Sequence, residues 1–421
     1  MKIKIKERDI SDVLNIPKEA HIKPKRQSFL MRYLLKLLSE KELKEVNFKC
    51  EKENMDSISA DEPVLFLMNH SSFIDLKIAS KIIYPRQFHI VCTLDGFVGK
   101  RALMQKIGCI PARKFINDIS LVKDLKYAVN ELKSSILMFP EASYSFDGTE
   151  TALPESLGKL ICMLRIPVVM IKTEGAFIRD PLYNALQIRK TDVSAKMSLI
   201  FSKKDIDALD ADSINDRLRE RFDFDYFREQ QESDTSICEA FRADYLERVI
   251  YKCPHCLKEG AMEGRGIKLY CKECGCEYIL DEKGFLKGTN IDAVFTHIPD
   301  WYRWQRTEVK KEIERGEYEL NIEVEIKILA DTKALYSVGD GVLKHDLDGF
   351  TLTDKSGILK YRQHSKASYS LYADYFWYEI GDVISIGDAR RQYYCFPKDR
   401  SVNVCKARLA TEEIFKLKKN C

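Results

Sequence analysis

A histidine followed five residues later by an aspartate is the first feature that could carry chemistry. His70 directly follows a short apolar run, Val64–Met68, and Asp75 stands where the next helical pattern begins. A carboxylate there can accept a hydrogen bond from one imidazole nitrogen and leave the other free to take a proton. Acyl transfer to an alcohol needs such a base, because a hydroxyl is a poor nucleophile at neutral pH. Taken alone, the spacing is common, and a structural histidine with satisfied hydrogen bonds explains it better.

Four cysteines in two Cys-x-x-Cys pairs form a second candidate site. The pairs are Cys253 with Cys256 and Cys271 with Cys274. Two such knuckles bring four thiolates to a tetrahedral zinc ion, and a closed set of sulfur ligands is typical of a structural site. Cys276 is an alternative to Cys274, although the glycine that follows Cys274 favours Cys274. We interpret the segment as a zinc ribbon that acts as a rigid spacer. Its mixed charge and few aromatic residues argue against a nucleic-acid partner.

Composition restricts the class of protein. The chain has 421 residues, of which 45% are hydrophobic and 32% charged, and its net charge is +3. This length exceeds one compact core, so two to four domains are expected. The paired cysteines favour a reducing compartment over a disulfide scaffold. No apolar run reaches the ~18–20 residues of a spanning helix, and the first nine residues lack the core of a signal peptide.

Residues 24–38 have the pattern of a basic amphipathic helix. Apolar residues recur there at intervals of three and four: Phe29, Leu30, Tyr33, Leu34, Leu37 and Leu38. The charged residues of this stretch are all basic, which suits an anionic membrane surface. A helix packed on its own domain is the alternative, and the two interpretations are compatible. We expect a peripheral protein on the cytoplasmic face of a membrane.

Strand and helix patterns alternate from Pro63 to about Phe201. The predicted strands are Val64–Met68, Phe88–Thr93, Ser135–Phe139 and Val168–Lys172. The clearest helix spans Asn117–Lys133 behind an Asn or Asp cap. This alternation predicts an α/β domain with a mainly parallel sheet. After Gly288, alternating and aromatic-rich stretches predict a β-rich domain that ends in a helix at Thr411–Lys418, an outline that weakly resembles pleckstrin-homology-like domains.

Three further motifs follow the histidine in order. They are Gly108–Arg113 (GCIPAR), Phe139–Ser143 (FPEAS) and Ile166–Met170 (IPVVM). Each lies where a parallel sheet places its ligand-binding loops, beyond the carboxyl ends of strands. With His70 and Asp75 they resemble, in type, order and spacing, the lysophosphatidate (1-acylglycerol-3-phosphate) acyltransferases of the glycerolipid acyltransferase superfamily. The resemblance spans about residues 25–225.

The resemblance implies an acyl thioester donor, either acyl-CoA or acyl carrier protein, and a lysophospholipid acceptor. His70 is then the general base on the acceptor hydroxyl, and Asp75 orients it. Arg113 is expected to face the acceptor phosphate, because a guanidinium fork matches phosphate oxygens. Glu141 is expected to hold the acceptor site together. The other positions implied for substrate binding are Asn69, Gly108, Pro140 and Ser143.

The His70–Asp75 pair counts as the first motif, so Phe139–Ser143 is the third. This third motif departs from the family pattern Glu-Gly-Thr-Arg-Ser. This chain has Ala142 in place of the glycine, and alanine adopts left-handed backbone conformations less readily. Tyr144 replaces an arginine that would bind phosphate, and Lys159 in the next helix could restore that charge. The catalytic pair is unchanged. Another lysolipid or an amphiphilic alcohol is therefore an alternative acceptor.

The sequence thus predicts four parts with different functions. Residues 1–45 are a membrane-facing segment, 46–250 an acyltransferase domain, 251–290 a zinc ribbon and 291–421 a β-rich domain. The expected activity is O-acylation of a lysophospholipid, with 1-acylglycerol-3-phosphate favoured, in phospholipid synthesis. A non-catalytic scaffold that binds lipid or a partner on the same fold is the alternative from another class.

Overall fold

The computed structural model describes residues 2–116 and 118–419 of the chain. One short strand and two helices come first: β1 (Ile5–Glu7), α1 (Ile10–Leu14) and α2 (Phe29–Glu45). Helix α2 begins later than the predicted start at residue 24. The backbone before it is held elsewhere, because the carbonyl of Lys25 accepts a hydrogen bond from His89 Nε2 at 2.9 Å. Ser28 occupies the N-cap position.

A seven-stranded sheet forms the centre of the α/β domain. Its strands are β2 (Lys49–Glu53), β3 (Leu65–Met68), β4 (Phe88–Thr93), β5 (Cys109–Ala112), β6 (Ser135–Met138), β7 (Val168–Glu174) and β8 (Ser194–Phe201), in the order β2-β8-β7-β3-β6-β4-β5. The strands from β7 to β5 in this order are mutually parallel, and β8 runs antiparallel to β7. The predicted α/β class with a mainly parallel sheet is confirmed.

Helices cover this sheet, as parallel strands require. They are α3 (Asp75–Ile82), α4 (Arg101–Ile107), α5 (Ile119–Asn130), α6 (Ser156–Leu164), α7 (Ala176–Arg179), α8 (Lys203–Ala208), α9 (Ala211–Arg221) and α10 (Tyr226–Glu232). Helix α5 is capped by Asp118, whose carboxylate accepts the N–H of Ser120 at 2.8 Å. Asn117, the other predicted cap, lies outside the described residues.

A small antiparallel sheet follows the α/β domain, and the cysteine pairs lie at or beside its strands. Its strands are β9 (Met262–Arg265), β10 (Lys268–Cys271), β11 (Glu277–Leu280) and β12 (Leu286–Gly288), in the order β12-β11-β10-β9. Helix α11 (Ile298–Glu314) follows it. This sheet falls within the predicted zinc-ribbon segment.

An eight-stranded sheet and one helix complete the molecule. The elements are β13 (Leu320–Leu329), β14 (Leu335–Asp346), β15 (Gly349–Asp354), β16 (Lys360–His364), β17 (Tyr372–Trp377), β18 (Gly381–Gly387), β19 (Gln392–Pro397) and α12 (Val404–Lys419). The order is β16-β15-β14-β13-β19-β18-β17, and β1 pairs in parallel with β14. Residues 5–7 therefore belong to this sheet, and the membrane-facing role of residues 1–45 stays a prediction.

The C-terminal sheet packs against the loops that follow β4, β5 and β6. Tyr372 donates a hydrogen bond to Asp95 Oδ2 at 3.0 Å. The rings of Phe146 and Tyr375 have centroids 4.5 Å apart. Because carboxyl ends of parallel strands share one edge of the sheet, β17 lies over the edge where His70 emerges. Across residues 2–116 and 118–419, no helix combines the length and the apolar character needed to cross a bilayer.

Candidate active site

His70 and Asp75 meet at the junction of β3 and α3. Nδ1 of His70 lies 3.2 Å from Oδ2 of Asp75. The same oxygen accepts the backbone N–H groups of Ser71 and Ser72 at 2.8 and 3.0 Å. Asp75 is 1% exposed. Since the carboxylate can only accept, Nδ1 carries the proton, and Nε2 is left as the nitrogen that can take one.

Burial favours the neutral form of His70. It lowers the pKa of the imidazole, while the hydrogen bond and the charge of Asp75 act in the opposite direction. The positive charge of Lys114 lowers that pKa further. A histidine that is neutral at physiological pH is ready to accept a proton.

Aromatic rings cover both faces of the His70 imidazole. The centroid of Tyr144 lies 3.8 Å from it and that of Phe139 lies 4.2 Å away, both in stacked geometry. Phe73 stacks in turn on Tyr144 at 5.3 Å. The imidazole is thus oriented by its ring faces as well as by Asp75. The sequence analysis missed this role of Tyr144, for which it only noted the loss of an arginine.

Glu141 holds the backbone of His70. Its Oε2 accepts the His70 N–H at 3.0 Å, and its Oε1 accepts the Thr151 N–H at 2.9 Å. Burial raises the pKa of this carboxyl to about 7. The side chain is 1% exposed. Glu141 therefore positions the backbone of His70, and its direct contact with the acceptor stays a prediction.

The backbone of Ala142 adopts the left-handed conformation that the family pattern assigns to glycine. Its φ is +55°. A Cβ in this region meets the following carbonyl oxygen, so alanine is strained where glycine is not. Ala142 thus has a backbone conformation that glycine adopts more readily.

The remaining predicted substrate positions lie in the framework of the site. Asn69 is fully buried and joins β3 to β7, because its Oδ1 accepts the Thr173 N–H at 2.9 Å. Gly108 ends α4 with φ +92°, and a Cβ there would lie 3.2 Å from the carbonyl oxygen of Phe88. Gly108 precedes β5, so it lies at the opposite edge of the sheet from His70. The other two, Pro140 and Ser143, are buried in the loop with Glu141.

Arg113 faces the C-terminal sheet. Its Nη1 lies 3.6 Å from Asp118 Oδ2, and its pKa, lowered mainly by burial, also responds to Asp388 and Tyr394. Strands β3 and β5 are three strand spacings apart, about 14 Å. Arg113 thus lies at the same edge of the sheet as His70, where the parallel strands have their carboxyl ends, but it is not next to His70.

Two residues that the sequence analysis missed complete the surroundings of the dyad. Lys114 is the cation whose charge reaches His70. Asp180 accepts a hydrogen bond from the Ser72 hydroxyl, and burial raises its pKa to about 6. Lys114 directly follows Arg113 of the GCIPAR motif, so its position in the sequence could have indicated a place near the site. Asp180 lies beyond the last motif, and no sequence pattern around it indicates a place near the site.

Five cysteines lie close together beside the small sheet. The Sγ atoms of Cys253, Cys271, Cys274 and Cys276 all lie within 4.8 Å of one another. Cys256 is outside this group, although its Sγ is 3.7 Å from that of Cys271. Cys276 thus joins three of the four predicted ligands in this group, and the role of Cys256 as the fourth ligand stays a prediction.

The cluster fits a metal such as zinc. Thiolates bound to one zinc at ~2.3 Å are roughly 3.8 Å apart in a tetrahedron. The observed Sγ separations of 3.5 and 3.7 Å, from Cys253 to Cys276 and Cys274, agree with this spacing. The backbone N–H of Cys276 and the neighbouring thiols lower the pKa of the Cys274 thiol to about 7, which favours a thiolate ligand. Soft sulfur donors in this arrangement are those that zinc accepts in structural sites.

Comparisons with known proteins define the class of the α/β domain. Residues 49–172 match the family model named Acyltransferase. This segment contains His70, Asp75 and the third motif, so the chain carries an acyltransferase domain. No curated protein matches the chain.

Among solved structures, the chain is similar to the 1-acyl-sn-glycerophosphate (LPA) acyltransferase PlsC from Thermotoga maritima. The two are 15% identical, and the alignment covers 44% of this chain and 79% of that one, with a TM-score of 0.32.

Proposed function

We propose that the protein is an O-acyltransferase that moves a fatty acyl group from an acyl thioester to the free hydroxyl of a lysophospholipid. The observation that carries the proposal is the dyad itself. His70 is a neutral imidazole whose Nδ1 is held by a buried aspartate, within an acyltransferase domain. The proposed donor is acyl-CoA or acyl carrier protein.

The proposed reaction needs one base and no covalent enzyme intermediate. Nε2 of His70 takes the proton of the acceptor hydroxyl as the oxygen attacks the thioester carbonyl. The tetrahedral intermediate expels the thiolate, which receives the proton from His70. One ester and one free thiol result. Asp75 stabilises the transient imidazolium, as a carboxylate does in a serine-protease triad.

The favoured acceptor is 1-acylglycerol-3-phosphate, which places the protein in phospholipid synthesis. The dyad and the order of the motifs support this choice. Tyr144, at the position of a phosphate-binding arginine, supports the alternative of another lysolipid or an amphiphilic alcohol. A panel of acceptors that differ only in headgroup separates the two.

The exposed face of α2 supports a membrane partner. Its apolar residues are exposed and recur on one side of the helix: Phe29, Leu30, Tyr33, Leu34, Leu37 and Leu38. Phe73 and Leu76, at the start of α3, are also exposed. Helix α3 packs on α2 and begins at the catalytic aspartate. We propose that this surface binds the cytoplasmic face of an anionic membrane and draws its acceptor from there.

The experiment is acyl transfer by the purified full-length protein, from one long-chain acyl-CoA to a panel of lysolipids, followed by mass spectrometry. His70→Ala should reduce turnover by about 10²–10⁴-fold, the usual contribution of a general base. His364→Ala is the matched control, because His364 is exposed on β16 and distant in sequence. Full activity of His70→Ala would refute the assignment of the base. Vesicle binding by the wild type without any turnover would instead support the non-catalytic scaffold.

A further inference from the structure

Glu42, in the last turn of α2, connects this helix to two other elements of the acyltransferase domain. Its Oε1 accepts a hydrogen bond from Arg179 Nη2 at 2.7 Å. Its Oε2 forms an ion pair with Lys77, which lies in the first turn of α3. Arg179 is the last residue of α7, the short helix that follows β7. Glu42 thus joins α2 to both α3 and α7 by charged contacts.

Arg179 lies between two carboxylates. Its side chain is 4% exposed, and its Nη1 is 3.2 Å from Asp180 Oδ2. The pKa of Asp180, about 6, leaves this carboxyl mostly ionised at neutral pH, so it pairs with the arginine as an anion. A row of alternating charges results, which we call the Glu42 network: Lys77, Glu42, Arg179 and Asp180. Each member depends on its neighbours, because a buried charge that loses its partner is strongly destabilising.

The Glu42 network reaches the catalytic pair through Ser72. The Ser72 hydroxyl donates a hydrogen bond to Asp180 Oδ1. The backbone N–H of the same serine donates to Asp75 Oδ2 at 3.0 Å. That oxygen is the one that lies 3.2 Å from Nδ1 of His70. Ser72, Asp75 and Asp180 are all buried. Direct contacts therefore lead from α2 to the imidazole.

A second ion pair between α2 and α3 shows what the Glu42 network adds. Glu40 Oε1 lies 3.0 Å from Lys81 Nζ, one turn further along α3 than Lys77. The side chains of Glu40 and Glu42 have similar exposures, 29% and 24%. The other ion pair of Glu40, at 3.4 Å, is with Lys36 of α2 itself. Packing of α2 on α3 thus has a charged contact of its own, whereas the contacts of Glu42 continue to the dyad.

We infer that Glu42, Arg179 and Asp180 are positioning residues, through which α2 holds the catalytic pair in its working geometry. General-base catalysis requires Nε2 of His70 to lie within hydrogen-bond reach of the acceptor hydroxyl. A displacement of about 1 Å can reduce the rate ~10²-fold, even when its cause is remote from the reacting atoms. Helix α2 then has two roles on different residues. Its exposed apolar side chains contact the membrane, and Glu42 fixes the base that acts there.

Matched alanine substitutions on α2 test this role. Glu42→Ala removes the contacts with Arg179 and Lys77, and Glu40→Ala is the control because it removes the second ion pair between α2 and α3. In the acyl-transfer assay, Glu42→Ala should lower kcat by about tenfold or more and leave the KM for the acceptor unchanged. Glu40→Ala should have the kcat and KM of wild type. Each variant loses one negative charge from the same helix, so the two should sediment equally with anionic vesicles.

A double-variant cycle separates positioning from a general effect on stability. Asp180→Asn removes the negative charge at the far end of the network but keeps an oxygen that can accept from Ser72. Since Glu42 acts through Asp180, the variant with both Glu42→Ala and Asp180→Asn should have a higher kcat than the product of the two single effects gives. When Glu40→Ala takes the place of Glu42→Ala, the effects should multiply.

Magnetic resonance of isotope-labelled histidine gives a readout that needs no turnover. The Nδ1 proton of His70, assigned by its loss in His70→Ala, reports the hydrogen bond to Asp75. Glu42→Ala should shift this signal, and Glu40→Ala should not. Because the kcat readout rests on the proposed function, the signal alone decides the positioning role if wild type acylates no acceptor.

Three results would each overturn the positioning role. The first is a His70 signal or a kcat that Glu42→Ala leaves unchanged. The second is a loss of kcat in Glu40→Ala as large as that in Glu42→Ala. The third is a cycle in which the effects of Glu42→Ala and Asp180→Asn simply multiply.

Discussion

At the scale of the residue, the pH dependence of the reaction should follow the ionisation of His70. Burial lowers its pKa below the ordinary value of about 6.5. The base acts only when it is neutral, so kcat/KM should rise with pH, reach half its maximum below pH 6.5 and be constant near neutrality. Asp75→Asn removes a charge that raises this pKa. It should move the midpoint to lower pH and reduce kcat by roughly 10²–10⁴-fold. A wild-type midpoint well above 6.5 would contradict this account.

Ala142 allows a prediction about stability. Because its φ is +55°, replacement by glycine should relieve local strain. Glycine also makes the unfolded chain more flexible, which offsets part of the gain. We expect Ala142→Gly to stabilise the protein by about 0.5–1 kcal/mol in thermal or urea unfolding. As a control, Ala102→Gly within the helix α4 should destabilise it by a similar amount. A loss of stability in Ala142→Gly would contradict the strain argument.

At the scale of the element, helix α2 should determine membrane association. Leu30 and Leu38 are 70% and 66% exposed, so they contribute little to folding but can bury apolar area in a bilayer. Replacement of both by serine should weaken sedimentation with anionic vesicles by roughly tenfold or more and leave the melting temperature unchanged. Ile358→Ser, an exposed apolar residue of the C-terminal domain, should have no effect on sedimentation. Unchanged binding of the double variant would exclude α2 as the membrane contact.

The cysteine-rich sheet should depend on its metal. Four of the five clustered thiols are enough for one tetrahedral zinc ion, so the protein should contain about one zinc per chain. Removal of the metal by a strong chelator should lower the melting temperature, because the ion binds only the folded site. Cys253→Ser should lose zinc, whereas Cys238→Ser, which lies outside the cluster, should keep it. Metal-free protein prepared without chelators would refute the site.

At the scale of the whole molecule, the features that could be predicted from the sequence are those that depend on local patterns. The strands around His70 and the helix behind Asp118 follow from periodicity and capping, which act over a few residues. The contact between the Lys114 ammonium and the Tyr372 ring could not be predicted. It joins segments that are far apart in sequence, and neither contains a signal for the other. The closeness of Cys276 to the predicted zinc ligands has a similar origin, since spacing alone does not determine which thiols converge.

The C-terminal sheet contains the first strand of the described residues, β1, and their last seven strands, β13 to β19. Ile5 pairs with Leu335, so the acyltransferase domain is enclosed in sequence between two parts of the same sheet. During synthesis the acyltransferase domain emerges and can fold while β1 still lacks its partner, β14. The eight-stranded sheet, and with it the cover over the His70 edge, can form only after the strands from β13 to β19 have been synthesised. The nascent chain therefore has its base in place before the domain that overlies it, and β1 is an unpaired edge that a chaperone or a neighbouring chain could occupy in the meantime.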